Sequence, residues 1–227
     1  MAEAVKSEVN LPGLKVEWVP VDRFQALPQG QVDMLCGAVV TLARRKEVAF
    51  SMPIFPGGVG VLVRSDAAAR LREILAGRET FRPNWRASAS QVLSEQTFAV
   101  VAGTTAEGWL NKRRTELKVD SKIAPVAGVE AGVRAVLDRK ANGFFAERAV
   151  LLDAAKREHG LTVIDRLFTY EPLALAMARG DEDFRLLVDR SLSQVYGSAG
   201  FGSQYTKWFG EPDEAAIAFF RWNALAE

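Results

Sequence analysis

Residues 103–107 read Gly-Thr-Thr-Ala-Glu, directly after an apolar run that ends at Ala102. Thr104 followed three residues later by Glu107 has the spacing of a helix capping box. The N–H groups and the positive dipole end of a helix start attract a carboxylate or phosphate, and Gly103 lets a ligand approach the backbone closely. The stretch therefore predicts an anion site, with a helix cap that binds no ligand as the alternative.

Two neighbouring arginines follow a second apolar run. Residues 32–40 are nearly continuous apolar, and Thr41, Arg44 and Arg45 come next. A guanidinium beside the end of a strand can hold a carboxylate through two parallel hydrogen bonds. Paired basic side chains in a loop usually face water, so a solvated loop is the alternative for this stretch.

A third candidate is Glu147, which follows the apolar residues 143–146 and opens a helical pattern. Its carboxylate could accept hydrogen bonds from an ammonium group. The alternative is purely structural, because the helix dipole by itself favours an acidic residue at a helix start. A fourth candidate is the aromatic cluster Tyr205, Trp208 and Phe209. These side chains could pack a short helix onto the protein, or they could form an aromatic wall for a ligand.

Composition excludes several classes of protein. The 29 Lys and Arg residues almost balance the 28 Asp and Glu residues, which argues against nucleic-acid binding. No apolar stretch reaches the ~18–20 residues of a membrane span, and the first residues show no apolar core of a signal peptide. The single Cys36, expected to be buried, excludes an internal disulfide, and the single His159, expected to be solvated, leaves little room for a histidine-based metal centre or triad. No cofactor is expected.

Apolar runs alternate with helical patterns along the chain, which predicts an α/β fold with mostly parallel sheets. Residues 78–95 are expected to form a surface excursion. The predicted strands are 14–21, 32–40, 58–63, 98–102, 122–127, 143–147, 161–168 and 173–179, and the predicted helices include 66–77, 128–143, 147–160 and 181–200. Ligands of such folds bind beyond the carboxyl ends of strands, which here means residues 35–45, 102–107 and 145–149.

Four segments, in order, resemble the polar amino-acid binding proteins of ABC importers, a family of type 2 periplasmic solute-binding proteins. They are GQVDMLCGAVVTLARRKEVAFSMPIF, VVAGTTAE, RKANGFFAERAVL and the closing stretch from EPLALAMARG to KWFG. The resemblance spans about residues 1–211, and the Cys-Gly pair is similar to the glutamate/aspartate branch. It implies two lobes, the first from 1–63 plus 176–227 and the second from 96–172, with 64–95 as an insertion near the hinge.

The resemblance also implies roles for the candidate residues in a ligand captured between the lobes. Arg44 would clamp the ligand carboxylate, with Gly37, Ala38 and Thr41 along the first wall. Thr105 would add its N–H and hydroxyl beside Gly103 and Thr104, and Glu147 would receive the ammonium. In the first segment Val39 and Val40 replace the usual hydroxyl residue and the segment is one residue short, which leaves Arg45 open as the clamp, although Thr41 three residues before Arg44 favours Arg44. Glu147 replaces a shorter Asp, and Asn142 replaces another Asp.

A last departure concerns the start of the sequence. Family members begin with a strand, an aromatic-bearing loop and half a helix, and about 40–50 such residues, including the first strand of lobe 1, are expected to be missing here. The function that the resemblance implies is that of a periplasmic, monomeric binding protein for a polar amino acid, with the membrane subunits of an ABC importer as partners and no enzymatic activity. The alternatives are a dehydratase-like enzyme on the same scaffold and a truncated remnant that binds nothing.

Overall fold

The computed structural model describes residues 15–19, 24–78, 88–212 and 214–226, and the chain divides into two compact units. Unit 1 consists of Met1–Pro56 and Glu171–Glu227, and unit 2 consists of Gly57–Tyr170. The chain therefore passes twice from one unit to the other.

Strands and helices alternate along most of the described chain. The strands are β1 (Met34–Val39), β2 (Ala49–Gly57), β3 (Val59–Arg64), β4 (Thr97–Val101), β5 (Lys122–Val126), β6 (Gly143–Glu147), β7 (Leu161–Val163) and β8 (Glu171–Met177). The helices are α1 (Ala69–Leu75), α2 (Ala89–Ser94), α3 (Thr105–Glu116), α4 (Val129–Leu137), α5 (Arg148–Arg157), α6 (Glu182–Gly197), α7 (Phe201–Phe209) and α8 (Glu214–Asn223). Short 3-10 turns lie at Phe24–Ala26 and Arg44–Lys46.

Unit 1 is built on a three-stranded sheet in the order β1-β8-β2, in which β1 runs antiparallel to β8. Successive side chains of a strand point to opposite faces, and β8 is apolar on both. Ala174 and Ala176 pack with Leu27, Val48 and Phe50 on one face. On the other face, Leu175 and Met177 of β8 pack against Val188 and Leu192 of α6. This central strand is consequently covered on both sides.

Unit 2 is built on a five-stranded sheet in the order β5-β4-β6-β3-β7. Strand β4 is parallel to both β5 and β6, whereas β3 is antiparallel to β6 and β7. One face carries an aromatic-rich core with α1 and α3, formed by residues that include Val61, Leu71, Leu75, Phe98, Val100, Leu110 and Phe145. The opposite face packs against α4 and α5 through residues that include Leu62, Ala99, Val133, Val136, Phe144 and Leu151.

The predicted α/β class is confirmed, but the expectation of mostly parallel sheets is wrong. Strand β4 is parallel to β5 and β6, but the pairs β1–β8, β3–β6 and β3–β7 are antiparallel. A strand buried on both faces is a continuous apolar run whichever way its neighbour points. Strand direction is therefore set by how the chain returns to the sheet, which the apolar pattern does not encode.

The boundaries between the units also differ from the expected ones. Strand β3 was expected in lobe 1, but it pairs within the sheet of unit 2, so unit 2 extends over Gly57–Tyr170 instead of 96–172. Only Gly58 separates β2 from β3, and a single glycine gives no linker pattern to read. Helix α1, expected in a separate insertion, belongs to unit 2 and contributes to its core.

Other elements differ in extent. The described residues 15–19 form no strand, and the rest of the predicted strand 14–21 lies outside the described residues. Within the expected surface excursion, residues 88–95 carry the short helix α2, capped by Ser88, whereas 79–87 lie outside the described residues. The predicted strand 161–168 is regular only over β7.

A carboxylate on α6 ties this helix to the edge of the unit 1 sheet. Asp189 accepts a hydrogen bond from the Met52 amide at 2.7 Å, and Tyr196 of the same helix donates to the Pro53 carbonyl at 3.1 Å. Burial raises the pKa of the Asp189 carboxyl, and the Met52 hydrogen bond and the nearby Arg185 guanidinium oppose that rise only in part. The folded protein therefore favours the protonated acid more than the unfolded chain does.

This asymmetry predicts a pH dependence of stability. In the unfolded chain an aspartic acid has a pKa of about 3.9. Between that pH and the higher pKa of Asp189 in the folded protein, the folded state binds more protons than the unfolded state does. Stability contributed by this group is then present below about pH 4 and lost as the pH rises through the folded pKa. We expect urea denaturation between pH 4 and 7 to show wild type losing stability relative to Asp189→Asn, which keeps the acceptor for Met52. If wild type instead gains stability relative to Asp189→Asn as the pH rises, the ion pair of Asp189 with Arg185 outweighs the effect of burial.

Candidate functional site

The start of α3 in unit 2 has the geometry that its sequence indicates. Strand β4 ends at Val101, Gly103 takes a positive φ of 73°, and Thr104 is the N-cap of the helix. The Thr104 hydroxyl donates to the Val101 carbonyl at 2.7 Å and accepts from the Glu107 amide at 3.4 Å. The Glu107 carboxylate accepts from the Gly103 amide at 2.7 Å, one residue before the amide that a capping box uses. A tight turn therefore fixes the first N–H groups of α3.

Glu147 caps α5 with its own side chain. One carboxylate oxygen accepts from the Ala149 and Val150 amides at 2.6 and 3.2 Å, and the other accepts from the Gly58 amide at 3.4 Å. Glu147 is therefore the N-cap residue of the helix and not a member of its first turn. These bonds hold the half-buried carboxylate in one orientation.

Replacing Glu147 with alanine is expected to lower the free energy of unfolding by about 1 kcal/mol, the usual cost of losing an N-cap acceptor. Glu147→Gln is the matched control, because its amide oxygen can still accept from the Ala149 amide. The measurement is urea denaturation of both variants beside wild type. If alanine and glutamine destabilise equally, the helix cap contributes nothing beyond the charge.

The two helix starts of unit 2 lie on neighbouring strands. Strands β4 and β6 are parallel, with Ala99 opposite Phe144 and Val100 opposite Phe145. Parallel neighbours end at the same edge of a sheet, so the turn after β4 and Glu147 at the end of β6 share that edge. Thr104 and Thr105 are half-buried there, and Gly103 is exposed with open space around its α-carbon. The edge thus offers helix amides and a carboxylate, which are the two charge signs that a zwitterion requires.

In unit 1, Arg44 is held in place by two contacts. One guanidinium N–H donates to the Val39 carbonyl at 2.8 Å, and the guanidinium carbon lies 4.8 Å from the centre of the Phe24 ring. The Thr41 hydroxyl accepts from the Arg44 amide at 3.1 Å, which fixes the turn. A guanidinium carries five N–H donors, so the Val39 bond uses only part of its capacity. Arg44 is half-buried, while its neighbour Arg45 is exposed.

The strand before this turn is bulged. The β1–β8 register shifts between Leu35 and Ala38, and Gly37 has a positive φ of 70°, which glycine adopts without strain. Ala38 resumes the pairing opposite Ala174. The bulge also overturns the expectation that Cys36 is buried, because its side chain is exposed. His159 is exposed at the end of α5, as expected.

The C-terminal aromatic residues are divided between packing and exposure. Tyr205 and Phe209 stack with each other at 5.1 Å between ring centres, and Tyr205 also packs on Phe220 of α8. Trp208, in contrast, is 70% exposed. Phe209 itself is 50% exposed, so packing accounts for Tyr205 and for Phe209 only in part. The described residues contain no group of acidic, cysteine or histidine side chains that could hold a metal ion. Among the helices described, none is both long and apolar enough to cross a membrane.

Some residues that shape the site gave no signal in the sequence. Phe24 lies 20 positions before Arg44, and the Gly58 amide lies 89 positions before Glu147. Neither has a motif or a spacing that connects it to its partner. The bulge at Gly37 could have been suspected, because an isolated glycine inside a strand pattern often marks one.

Comparison with known proteins adds the relationship of the whole chain. The chain is 25% identical over 219 residues to the glutamate/aspartate import solute-binding protein of Escherichia coli (strain K12), covering 93% of this chain and 67% of that protein. It is 26% identical, with the same coverage, to the L-glutamate/L-aspartate-binding protein of Pseudomonas aeruginosa. These relatives are named as binding proteins and not as enzymes, in agreement with the expectation of a non-enzyme.

Solved structures agree with this relationship. An ancestral amino acid-binding protein, described as a precursor of cyclohexadienyl dehydratase, superposes with a TM-score of 0.70 at 26% identity, over 92% of this chain and 82% of that one. The expected type 2 periplasmic-binding-protein fold is thereby confirmed. The family model for bacterial extracellular solute-binding proteins, family 3, matches residues 1–211. This chain belongs to the bacterial extracellular solute-binding proteins of family 3.

Proposed function

We propose that this protein binds an acidic amino acid, L-glutamate or L-aspartate, outside the cytoplasm and delivers it to an ABC importer. The family supports ligand capture, and two relatives at 25–26% identity are named for glutamate and aspartate. The observation that carries the proposal is the sheet edge of unit 2, where the capped start of α3 and the carboxylate of Glu147 lie on neighbouring strands. The membrane subunits of the importer would be its partners, and it would act as a monomer.

In this proposal Arg44 binds the α-carboxylate of the ligand. Its contacts with Val39 and Phe24 support the role, because an immobilised guanidinium loses little further freedom when it binds. Half-burial also favours Arg44 over the exposed Arg45, since water screens an exposed ion pair strongly. The bulged segment with Gly37 and Ala38, and the Thr41 that fixes the turn, would form the wall beside the guanidinium.

The residues of unit 2 would complete the recognition of the zwitterion. Thr105, at the first position of α3, would offer its N–H and hydroxyl to the carboxylate, at the positive end of the helix dipole. Gly103 and Thr104 would hold that turn in shape. Glu147 would accept hydrogen bonds from the ammonium group, because the bonds that cap α5 hold its carboxylate in one orientation.

Titration calorimetry against the common L-amino acids tests the proposal. We expect L-glutamate or L-aspartate to bind with 1:1 stoichiometry and to raise the melting temperature, since a ligand at about 100 times its Kd stabilises the folded state by ~2.7 kcal/mol. Glu147→Gln should weaken binding of the amino acid while leaving binding of the matching dicarboxylate without an ammonium unchanged. If no amino acid binds, or if glutamine at 147 leaves both ligands unaffected, the assignment fails.

The rival activity is a dehydratase on the same scaffold, favoured by the description of one similar solved structure as a precursor of cyclohexadienyl dehydratase. In that case an acid such as Glu147 would have to protonate a leaving hydroxyl group. The Glu147 carboxylate already accepts hydrogen bonds from the Ala149 and Val150 amides, and an acceptor of N–H groups suits an ammonium ligand better than a leaving hydroxyl group. Loss of prephenate absorbance in the presence of the purified protein would support the rival and contradict the proposal.

A further inference from the structure

Unit 2 contains a cavity of about 420 Å³ away from the sheet edge that carries Glu147. The cavity lies between the sheet face that bears α3 and the short helices α1 and α2, and it begins at Phe98, the second residue of β4. Its volume is within the range of small-molecule sites. Because α2 has no buried side chain, its Leu93 covers the aromatic core of the sheet only in part.

The walls of the cavity are aromatic and aliphatic. Phe145 and Phe168 lie 5.3 Å apart between ring centres, and Trp109 packs on both, at 5.9 and 5.4 Å. Phe98 meets Phe145 edge to face at 5.3 Å. Such a cluster offers ring faces and edges to an apolar molecule.

The polar groups around the same cavity are mostly cationic. Its lining includes Lys112, Arg113, Arg114 and Arg166 but a single carboxylate, Glu116, which pairs with Lys112 and Arg113. Arg114 donates to the Ser121 carbonyl at 3.1 Å, and Arg166 donates to the Leu75 carbonyl at 3.3 Å and stacks over Phe168. Within the described part of the chain, neither Arg114 nor Arg166 forms an ion pair. Both guanidiniums are thus held by neutral partners beside an apolar space.

From this combination we infer a second ligand site in unit 2, which binds an apolar molecule that ends in a carboxylate. The apolar body lies against Trp109, Phe145 and Phe168, and the carboxylate meets the guanidiniums of Arg114 and Arg166. A neutral apolar molecule would leave those donors unused, and a small polar anion would leave the aromatic walls uncovered. The site is independent of the proposed amino-acid binding, since it shares no residue with it.

Calorimetry with monomeric decanoate as the probe tests the inference on the full chain. We expect 1:1 binding, at least about tenfold tighter than that of decanol, because a charge-assisted hydrogen bond is lost with the carboxylate. 10-Bromodecanoate should quench the fluorescence of Trp109, and Trp109→Phe should remove that bromine-dependent quenching. No binding, or equal affinity for decanol and decanoate, overturns the inference.

Two kinds of variant locate the site. Arg166→Gln should weaken the binding of decanoate about tenfold. Arg134→Gln makes the same charge change at an exposed position of α4, on the opposite face of the sheet, and should leave the binding of decanoate unchanged. Leu93→Trp should fill the cavity and abolish the binding of decanoate. If the tryptophan variant does not fold, Ala89→Leu is the second cavity-filling variant, with the same expected result. Arg44→Ala, in unit 1, should bind decanoate like wild type. Folded cavity-filling variants that keep full decanoate affinity would contradict the assignment.

Discussion

Replacing Arg44 with alanine is expected to lower the affinity for L-glutamate or L-aspartate by about 30-fold or more. Removing one partner of a hydrogen-bonded charge pair costs about 2–5 kcal/mol, and each 1.4 kcal/mol is a factor of ten in Kd. The half-burial of Arg44, its bond to the Val39 carbonyl and its stacking on Phe24 all limit the freedom of the guanidinium before a ligand arrives. Titration calorimetry of the variant measures the loss.

The adjacent Arg45→Ala variant is the matched control, because it removes the same charge from an exposed position one residue away. It should change the affinity by less than about threefold, the scale of an exposed, screened ion pair. The Arg44→Lys variant should also bind the ligand weakly, because an ammonium group cannot form the two parallel hydrogen bonds that a planar guanidinium makes with a carboxylate. If Arg45→Ala loses the ligand and Arg44→Ala keeps it, the roles of the two arginines are reversed.

The second large effect concerns the core of unit 2. A β-carbon added at Gly132 of α4 would clash with the ring of Phe144, which has no exposed surface. Gly132→Ala is therefore expected to lower the free energy of unfolding by about 1–3 kcal/mol through overpacking. For a protein of this size that corresponds to a fall of roughly 2–12 °C in Tm, measurable by calorimetry.

Gly108→Ala in α3 is the control, because no atom lies within 4 Å of the added β-carbon. Alanine in a helix interior is favoured over glycine by about 0.5–1 kcal/mol, so this variant should melt slightly higher than wild type. Helix propensity acts in the same direction at both positions, and only packing separates them. A Gly132→Ala protein as stable as wild type would show that Phe144 moves aside without cost.

Local patterns in the sequence were sufficient for much of the scaffold. Thr104 with Glu107 indicated the start of α3, and the apolar runs located β1, β3, β4, β6 and β8 to within a few residues. Each of these features depends on residues within one or two helical turns, where backbone hydrogen bonds and side-chain caps are decided. The order of the four matching segments was also sufficient to predict the family of solute-binding proteins.

Contacts between residues that are far apart in the sequence could not be predicted from these local patterns. The antiparallel placement of β3 beside β6, the division at Gly57 and the exposure of Cys36 all follow from how separate segments pair. The same is true of the cavity lined by Trp109 and Phe168, and of the bond from the Gly58 amide to Glu147. No local pattern encodes which strand becomes the neighbour of another.

The sequence by itself thus determined that a flexible turn, hydroxyl groups, an arginine and a carboxylate follow the ends of buried strands. Which of these groups share an edge was decided by tertiary structure, because parallel pairing of β4 with β6 aligns their ends and so brings the Thr104 turn and Glu147 to one side of the sheet. Tertiary structure likewise distinguished Arg44 from Arg45, since only Arg44 has the Val39 carbonyl and the Phe24 ring to hold it.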